Sequence, residues 1–307
     1  MTTKLLVIVT FLVSSVRSQR VCDPIIFPNH KHTSSILRHS NGELQFCPEK
    51  QSQGATAGYS LLETSGKPQD RAANVLIGEL TARGRVITIK WRCGGSLIAP
   101  QFVLTSAHCM NSADIATFIR ITSKDVEGQA PLETDSTINH IYIHPEYEKS
   151  QLYFDIAIIR MNEPVWGFLT AILPTNNTFL QNTDIRLSGW TKSSQNFGDL
   201  NLITDTVSIV LHRRCSTFYN LPQLPKEIKM DQVCGRIPTN SSIKPCSGTI
   251  LGILESESTS VVVGIPSFTF GCNNERPLVF TNIVFFSPWV RTIIEYTLEH
   301  CGYPQRR

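Results

Sequence analysis

Short apolar segments alternate with turn-forming residues along most of the chain from about residue 75 onward. Many of their positions hold β-branched or aromatic side chains, and their spacing is typical of an all-β barrel or sandwich. The pattern therefore predicts strands within residues 86–91, 102–105, 118–121, 138–143, 155–161, 185–190, 206–211, 261–265 and 279–286.

The C-terminal end follows a different period. Ser287 could cap a helix that has Pro288 in its first turn. The apolar positions after it are spaced as on one helical face: Val290, Ile293, Ile294 and Leu298. The sequence thus predicts a helix that starts at about residue 287.

The N-terminal region lacks the strand pattern. Residues 5–16 form an apolar run after Lys4 that is too short to span a bilayer, so residues 1–18 are expected to be a secretory signal peptide. Residues 19–65 are polar and are expected to form an extension and linker. We expect the rest to be one domain over 66–301 and a tail over 302–307.

Composition narrows the class of protein. With 307 residues, 41% of them hydrophobic and 17% charged, the chain is neither disordered, collagen-like nor a coiled coil. Loss of residues 1–18 would remove Lys4 and Arg17 and lower the net charge from +3 to +1. A nearly neutral chain gives no reason to expect nucleic acid or a membrane as a partner.

All nine cysteines follow the proposed signal peptide, which favours disulfides in an oxidising compartment. An odd number leaves at least one unpaired within the chain. No two cysteines have zinc-cage spacing, so neither a metal nor another cofactor is expected. Asn176 and Asn240 begin glycosylation sequons, which fits an extracellular protein.

Residues 92–109 read RCGGSLIAPQFVLTSAHC, and three shorter motifs follow in order: DIAII at 155–159, LSGW at 187–190 and PWV at 288–290. This series resembles trypsin-like serine proteases of the chymotrypsin fold, the S1 family, over roughly residues 66–300. The resemblance implies two six-stranded antiparallel β-barrels with a cleft between them and a C-terminal helix. It also implies three disulfides, namely Cys93–Cys109, Cys215–Cys234 and Cys246–Cys272. A Cys22–Cys47 pair that leaves Cys301 free is a guess.

The same resemblance assigns the catalytic positions. His108 matches the general base and Asp155 the acid that orients it. The family motif for the nucleophile, CxGDSGGP, aligns with residues 246–253, which read CSGTILGI and put Ile250 at the nucleophile position. Isoleucine has no lone pair and cannot form an acyl-enzyme. Gly248 remains as an oxyanion donor, but no catalytic set is complete.

The activation machinery also departs from the family. Residues 62–66 read LETSG, without a preceding basic residue or the usual Ile or Val at the new N-terminus. Thr249 replaces the aspartate that would pair with that terminus. Both partners of one buried ion pair are missing together, as expected when neither charge is left uncompensated. We therefore expect a chain that cannot be activated by cleavage.

The specificity pocket is altered as well. Lys244 occupies its base and Thr269 and Leu278 its walls, with Ser267 and Phe268 beside them. One interpretation is a basic-floored pocket for an acidic side chain. The other, which we favour, is a filled pocket with Lys244 extending to solvent.

These features predict a secreted, catalytically inactive serine protease homologue, similar to arthropod pseudoproteases of extracellular cascades or reproductive fluids. It would act by binding proteins, such as an active protease, its substrate or an inhibitor. Retained His108 and Asp155 would then have a structural role. The alternatives are an active serine endopeptidase with an atypical nucleophile and a glycan- or lipid-binding module. Covalent labelling by a serine-directed reagent distinguishes the first alternative.

Overall fold

The computed structural model describes residues 73–83, 86–110, 118–122, 133–175, 184–192, 200–221, 224–225, 227–245, 250–257, 259–270 and 275–301. The proposed signal peptide, extension, linker and tail lie outside these residues. So do Cys22, Cys47, Cys246, Cys272, Gly248, Thr249 and Asn176. The backbone of Cys301 is described, but its side chain is not.

The first barrel contains six antiparallel strands that close in the order β1-β2-β3-β6-β5-β4. Along these strands every second residue faces the interior. Pairs such as Val75 and Ile77, Ile119 and Ile121, and Ile159 and Met161 are therefore fully buried together. The strands are β1 (Asn74–Arg83), β2 (Val86–Ala99), β3 (Phe102–Thr105), β4 (Phe118–Thr122), β5 (Glu133–Ile143) and β6 (Ala157–Met161).

The second barrel closes in the order β11-β14-β13-β12-β7-β8. Its interior is formed by aliphatic side chains and Phe280. The six strands are β7 (Ile185–Lys192), β8 (Leu200–Val210), β11 (Gln232–Arg236), β12 (Ile250–Ser256), β13 (Val262–Phe268) and β14 (Leu278–Asn282). A separate two-stranded pair, β9 (Asn220–Leu221) and β10 (Leu224–Pro225), comes between β8 and β11 in the sequence. The expected architecture of two six-stranded barrels with a C-terminal helix is confirmed.

The two barrels touch at the backbone level where β2 passes β12. A Cβ atom added to Gly94 would lie 2.4 Å from the carbonyl oxygen of Leu251 and 2.9 Å from the Cα of Gly252. Only glycine fits such a close approach. Beside this contact, the buried Ser188 hydroxyl donates to Oδ1 of Asn74 at 2.8 Å and accepts the amide of Ile253 at 3.2 Å. A hydrogen bond between Asn74 of the first barrel and Ser188 of the second thus links the two barrels.

Two helices pack against the barrels. Helix α1 (His212–Tyr219) was not predicted, and Cys215 attaches it to β11 through a disulfide with Cys234. Helix α2 (Ile283–Cys301) begins four residues before the predicted start. The predicted Ser287 cap is wrong, since its hydroxyl is buried and donates to the carbonyl of Pro174 at 2.7 Å, while Pro288 lies inside the helix.

The actual start of α2 uses another capping residue. Oδ1 of Asn282 accepts the amide of Val284 at 3.2 Å. An asparagine in this position satisfies one of the free amides at a helix start. The predicted strand over 279–286 is therefore divided, with β14 ending at Asn282 and helix following at once. None of the described helices is both long and apolar enough to cross a membrane.

Candidate active site and its altered positions

His108 and Asp155 meet between the end of β3 and the start of β6. His108 lies on a single 3₁₀ turn, Ala107–Cys109, while Asp155 directly precedes the buried residues that lead into β6. Nδ1 of His108 lies 2.8 Å from Oδ2 of Asp155, and the backbone amide of His108 donates to Oδ1 at 2.9 Å. One carboxylate therefore holds His108 at two points, the imidazole and the backbone amide.

Asp155 has no exposed side-chain surface and receives a third hydrogen bond from Ser267. The Ser267 hydroxyl donates to Oδ2 at 2.6 Å, and the hydroxyl of Thr281 donates to the Asp155 carbonyl at 2.8 Å. Both donors come from the second barrel, whereas His108 belongs to the first. Asp155 thus joins the two barrels through a buried, fully hydrogen-bonded carboxylate.

A second link runs parallel to the first. The hydroxyl of Ser106, two residues before His108, donates to the carbonyl of Pro266 at 2.6 Å. Sequence reasoning missed the roles of Ser106 and Thr281 because their partners are 160 and 126 residues away. Ser106 does lie inside the TSAHC motif, which was the available signal. Ser267, expected beside the pocket, also contacts the acid.

The second ring nitrogen of His108, Nε2, lies next to a disulfide. Cys93 and Cys109 are bonded, and among the described residues the sole partner of Nε2 is Sγ of Cys109, at 3.5 Å. Cys93, His108 and Cys109 are close enough together for a metal, but the disulfide occupies both sulfurs. The bridge closes a segment with a sequence separation of 16, which contributes about 3 kcal/mol.

Ile250 is the first residue of β12 and is half-buried. Its backbone pairs with Trp190 of β7, so the aligned nucleophile position lies at the start of a strand within the second barrel. An aliphatic side chain offers neither a nucleophilic atom nor a proton to an imidazole. Residues 246–249, which precede it, are outside the described part of the chain.

Of the two residues that the resemblance assigns to the pocket walls, Thr269 and Leu278, the second packs into the core of the second barrel. Leu278 is only 2% exposed, and Ile243 and Phe280 are fully buried in the core of the second barrel. Nζ of Lys244 donates to the carbonyl of Thr239 at 2.8 Å, in an exposed contact. The amine of Lys244 therefore reaches the surface turn that precedes it.

The aromatic residues beside this region pack on one another. Tyr219 of α1 meets Phe268 edge-on at 5.5 Å between ring centroids, and Phe270 at the same distance. The side chain of Thr269 hydrogen-bonds Tyr219, while burial raises the pKa of this tyrosine. Phe268 and Thr269 thus belong to a cluster that fixes α1 to the second barrel.

The predicted glycosylation site at Asn240 lies on the surface. Asn240 is exposed within a turn that the amide of Ser241 closes on the carbonyl of Pro238 at 3.1 Å. Ser242, the third residue of the sequon, is exposed as well. The exposure of both residues is compatible with glycosylation at Asn240.

Comparisons with known proteins extend the motif evidence over most of the chain. The chain is 28% identical to the serine protease Hayan of Drosophila melanogaster over 88% of its own length. It is 31% identical to chymotrypsin-C of Rattus norvegicus over 67% of this chain and 80% of that protein. The chain spans 46% of the length of Hayan and 49% of that of the Drosophila serine protease snk.

Solved structures share the fold. The Drosophila Grass clip serine protease of the Toll pathway superposes with a TM-score of 0.57 at 19% identity, covering 86% of this chain and 76% of that one. HL collagenase gives 0.53 at 22% identity over 72% and 93% of the respective chains. The profile of the trypsin family matches residues 64–290. With this match and the two closed barrels, the chain belongs to the trypsin family of serine proteases.

Proposed function

We propose that this chain is a secreted, catalytically inactive member of the trypsin family that acts by binding other proteins. The observation that carries the proposal is the side chain at position 250, where the family motif has its nucleophilic serine. Loss of this serine from a complete triad lowers turnover by about 10⁶-fold, equivalent to about 8 kcal/mol of barrier.

The burial of the pocket region supports the same conclusion. A primary specificity pocket requires open space between its walls, but Leu278 and Phe280 lie in the barrel core. The exposed Lys244–Thr239 contact favours a surface lysine over a charged pocket floor. The chain would therefore have neither the nucleophile nor the slot that positions a substrate side chain.

Retention of His108 and Asp155 is compatible with inactivity. Their hydrogen bonds, with those from Ser267 and Thr281, connect the two barrels and satisfy a buried charge. A purely structural role is sufficient to keep this pair, because a buried carboxylate that loses its donors is costly. The pair would hold the cleft together after the chemistry has been lost.

The relatives support a proposal for the biological setting. Hayan and snk are serine proteases of Drosophila, and the clotting factor G beta subunit of Tachypleus tridentatus is 25% identical over 66% of this chain. We infer that this protein acts in an extracellular protease cascade, as a cofactor or decoy for an active protease, its substrate or an inhibitor. Reproductive fluid is the other setting in which such proteins are expected.

Covalent labelling tests the proposal. The secreted protein is incubated with a fluorophosphonate probe, with and without prior trypsin treatment, beside active chymotrypsin-C. We expect label on chymotrypsin-C and none on this protein. Ile250→Ser should also remain unlabelled, because Thr249 and residues 62–66 still lack the activation pair. Label on the unmodified chain that disappears in His108→Ala would show a working nucleophile elsewhere and refute the proposal.

A further inference from the structure

The start of helix α1 breaks two rules that normally stabilise a helix. Leu211 occupies the capping position and makes no side-chain capping bond. Arg213 and Arg214 follow in the first turn, where the helix dipole favours acidic residues, and the first turn contains none. Violations of local sequence rules are concentrated at functional sites, where the rest of the fold offsets their cost.

The same residues form an exposed surface. Leu211 is 79% exposed, the largest value among the exposed large hydrophobic residues of the described chain. His212, Arg213 and Arg214 are exposed as well, and neither arginine forms an ion pair with any residue that the structure describes. We call Leu211, His212, Arg213 and Arg214 the α1 patch.

The α1 patch is held rigidly. Cys215, the next residue, is fully buried and bonded to Cys234 of β11. Tyr219 anchors the other end of the helix among Phe268 and Phe270. The guanidinium of Arg236 on β11 lies 5.3 Å from the ring centroid of Phe218 and gives the helix a further contact with the second barrel. A helix with a fixed backbone loses little backbone entropy on binding.

We propose that the α1 patch binds a segment of a partner protein, and that this segment contains both acidic residues and an apolar side chain. This inference rests on the proposed function. The charge complementarity comes from Arg213 and Arg214, whose guanidinium groups pair with carboxylates in a bidentate manner. The apolar side chain would cover Leu211. This exposed leucine favours a polypeptide over a sulfated glycan, which has no aliphatic side chain to bury against it.

A binding assay on the mature, full-length secreted protein tests this. The probe is a fluorescein-labelled peptide of repeated Glu-Glu-Leu, measured by fluorescence anisotropy beside labelled heparin. We expect saturable peptide binding that weakens about tenfold or more in Arg213→Glu/Arg214→Glu. It should also weaken as NaCl rises from roughly 0.05 to 0.3 M. Lys90→Glu, an exposed charge reversal on β2, is the matched control and should bind normally.

Leu211→Ser distinguishes loss of the binding contact from loss of folding. Serine is a good capping residue, so this variant should unfold at a higher temperature than the unmodified chain. Peptide binding should nevertheless fall several-fold, because the apolar contact is gone. A stabilised variant that binds less cannot be dismissed as misfolded.

Each other result overturns the inference. Absence of peptide binding, or equal binding by the double reversal and the unmodified chain, removes the site. Binding of heparin but not of the peptide assigns the surface to glycans and refutes a protein partner. The same samples are labelled with fluorophosphonate. Labelling would refute the proposed inactivity without affecting the peptide result, and loss of the peptide result would leave inactivity standing.

Discussion

Asp155 accepts a hydrogen bond from Ser267, 112 residues away, at 2.6 Å, and this contact crosses from the first barrel to the second. Its carboxylate also holds His108 at two positions. In an active protease such a group serves the reaction. If the chain is inactive as proposed, the remaining effect of this carboxylate is on stability, which can be measured directly.

Replacement of Asp155 by alanine should therefore lower the free energy of unfolding by about 3 kcal/mol, because three partly buried donors lose their acceptor. Urea denaturation followed by tryptophan fluorescence measures this change. Asp135→Ala is the control, since Asp135 pairs with Arg120 in an exposed contact and should cost less than about 1 kcal/mol. If the two variants were equally stable, the buried network would have no structural role.

The close approach of β2 and β12 predicts a large effect of one methyl group. Gly94→Ala would place its Cβ 2.4 Å from the Leu251 carbonyl and 2.8 Å from the Trp190 ring, and backbone atoms cannot move aside cheaply. We expect a loss of about 2–4 kcal/mol in unfolding free energy.

Gly167→Ala is the comparison for Gly94→Ala. Gly167 has a φ of +88° but nothing within 4 Å of an added Cβ, so its replacement should cost only about 1 kcal/mol of backbone strain. Equal losses in both variants would mean that the barrels can separate to admit a side chain at Gly94.

A pair of buried serines tests how hydrogen bonding determines stability at the same interface. The hydroxyl of Ser96 is buried without a hydrogen-bond partner among the described residues. Ser96→Ala should therefore be neutral or stabilise the protein by up to about 1 kcal/mol. Ser188→Ala should instead destabilise it by about 1–3 kcal/mol, since Asn74 and the amide of Ile253 lose their partner. Thermal unfolding of both variants gives the comparison, and a large loss in Ser96→Ala would indicate a bridging water.

Strands were easiest to predict where apolar residues were continuous, as in 102–105, or alternated with polar ones, as at the start of 185–190. The segment 102–105 matches β3, and 185–190 lies within β7. β12 was not predicted because Gly252, Glu255 and Ser256 interrupt its apolar pattern, although Glu255 and Ser256 are almost completely buried. α1 was missed because it begins without a capping residue. Local sequence describes the propensity of a segment, whereas here tertiary packing determined the outcome.

Long-range hydrogen bonds were beyond sequence reasoning for another reason. His108 and Asp155 were identified by their motifs, and their contact followed from the family resemblance. The partners of Ser106 and Ser188 were not identified, because these contacts depend on how two separately closed barrels are positioned. Ser287 illustrates the opposite error, since a residue that fits a helix cap is used for a buried tertiary contact with Pro174.

The buried His144 predicts how stability depends on pH. Its ring stacks on Phe154 at 5.2 Å and contacts Phe286 and Trp289, while Nδ1 accepts the amide of Glu146 at 3.2 Å. Burial lowers the pKa of His144 from 6.5 to about 4. Between these two values the unfolded chain binds a proton that the folded protein does not, so stability is complete above pH 6.5 and declines as the pH falls toward 4.

The total contribution of His144 over that interval is about 3 kcal/mol. Urea denaturation at a series of pH values from 7 to 4 measures the slope. His144→Asn keeps a polar side chain that does not titrate. In this variant the slope of the unfolding free energy against pH should be smaller, by the amount that corresponds to about one bound proton. His212→Asn, at an exposed position of α1, should retain the slope of the unmodified protein. If His144→Asn also retained it, the imidazole would be protonated within the fold, and its aromatic surroundings would have to accommodate a charge.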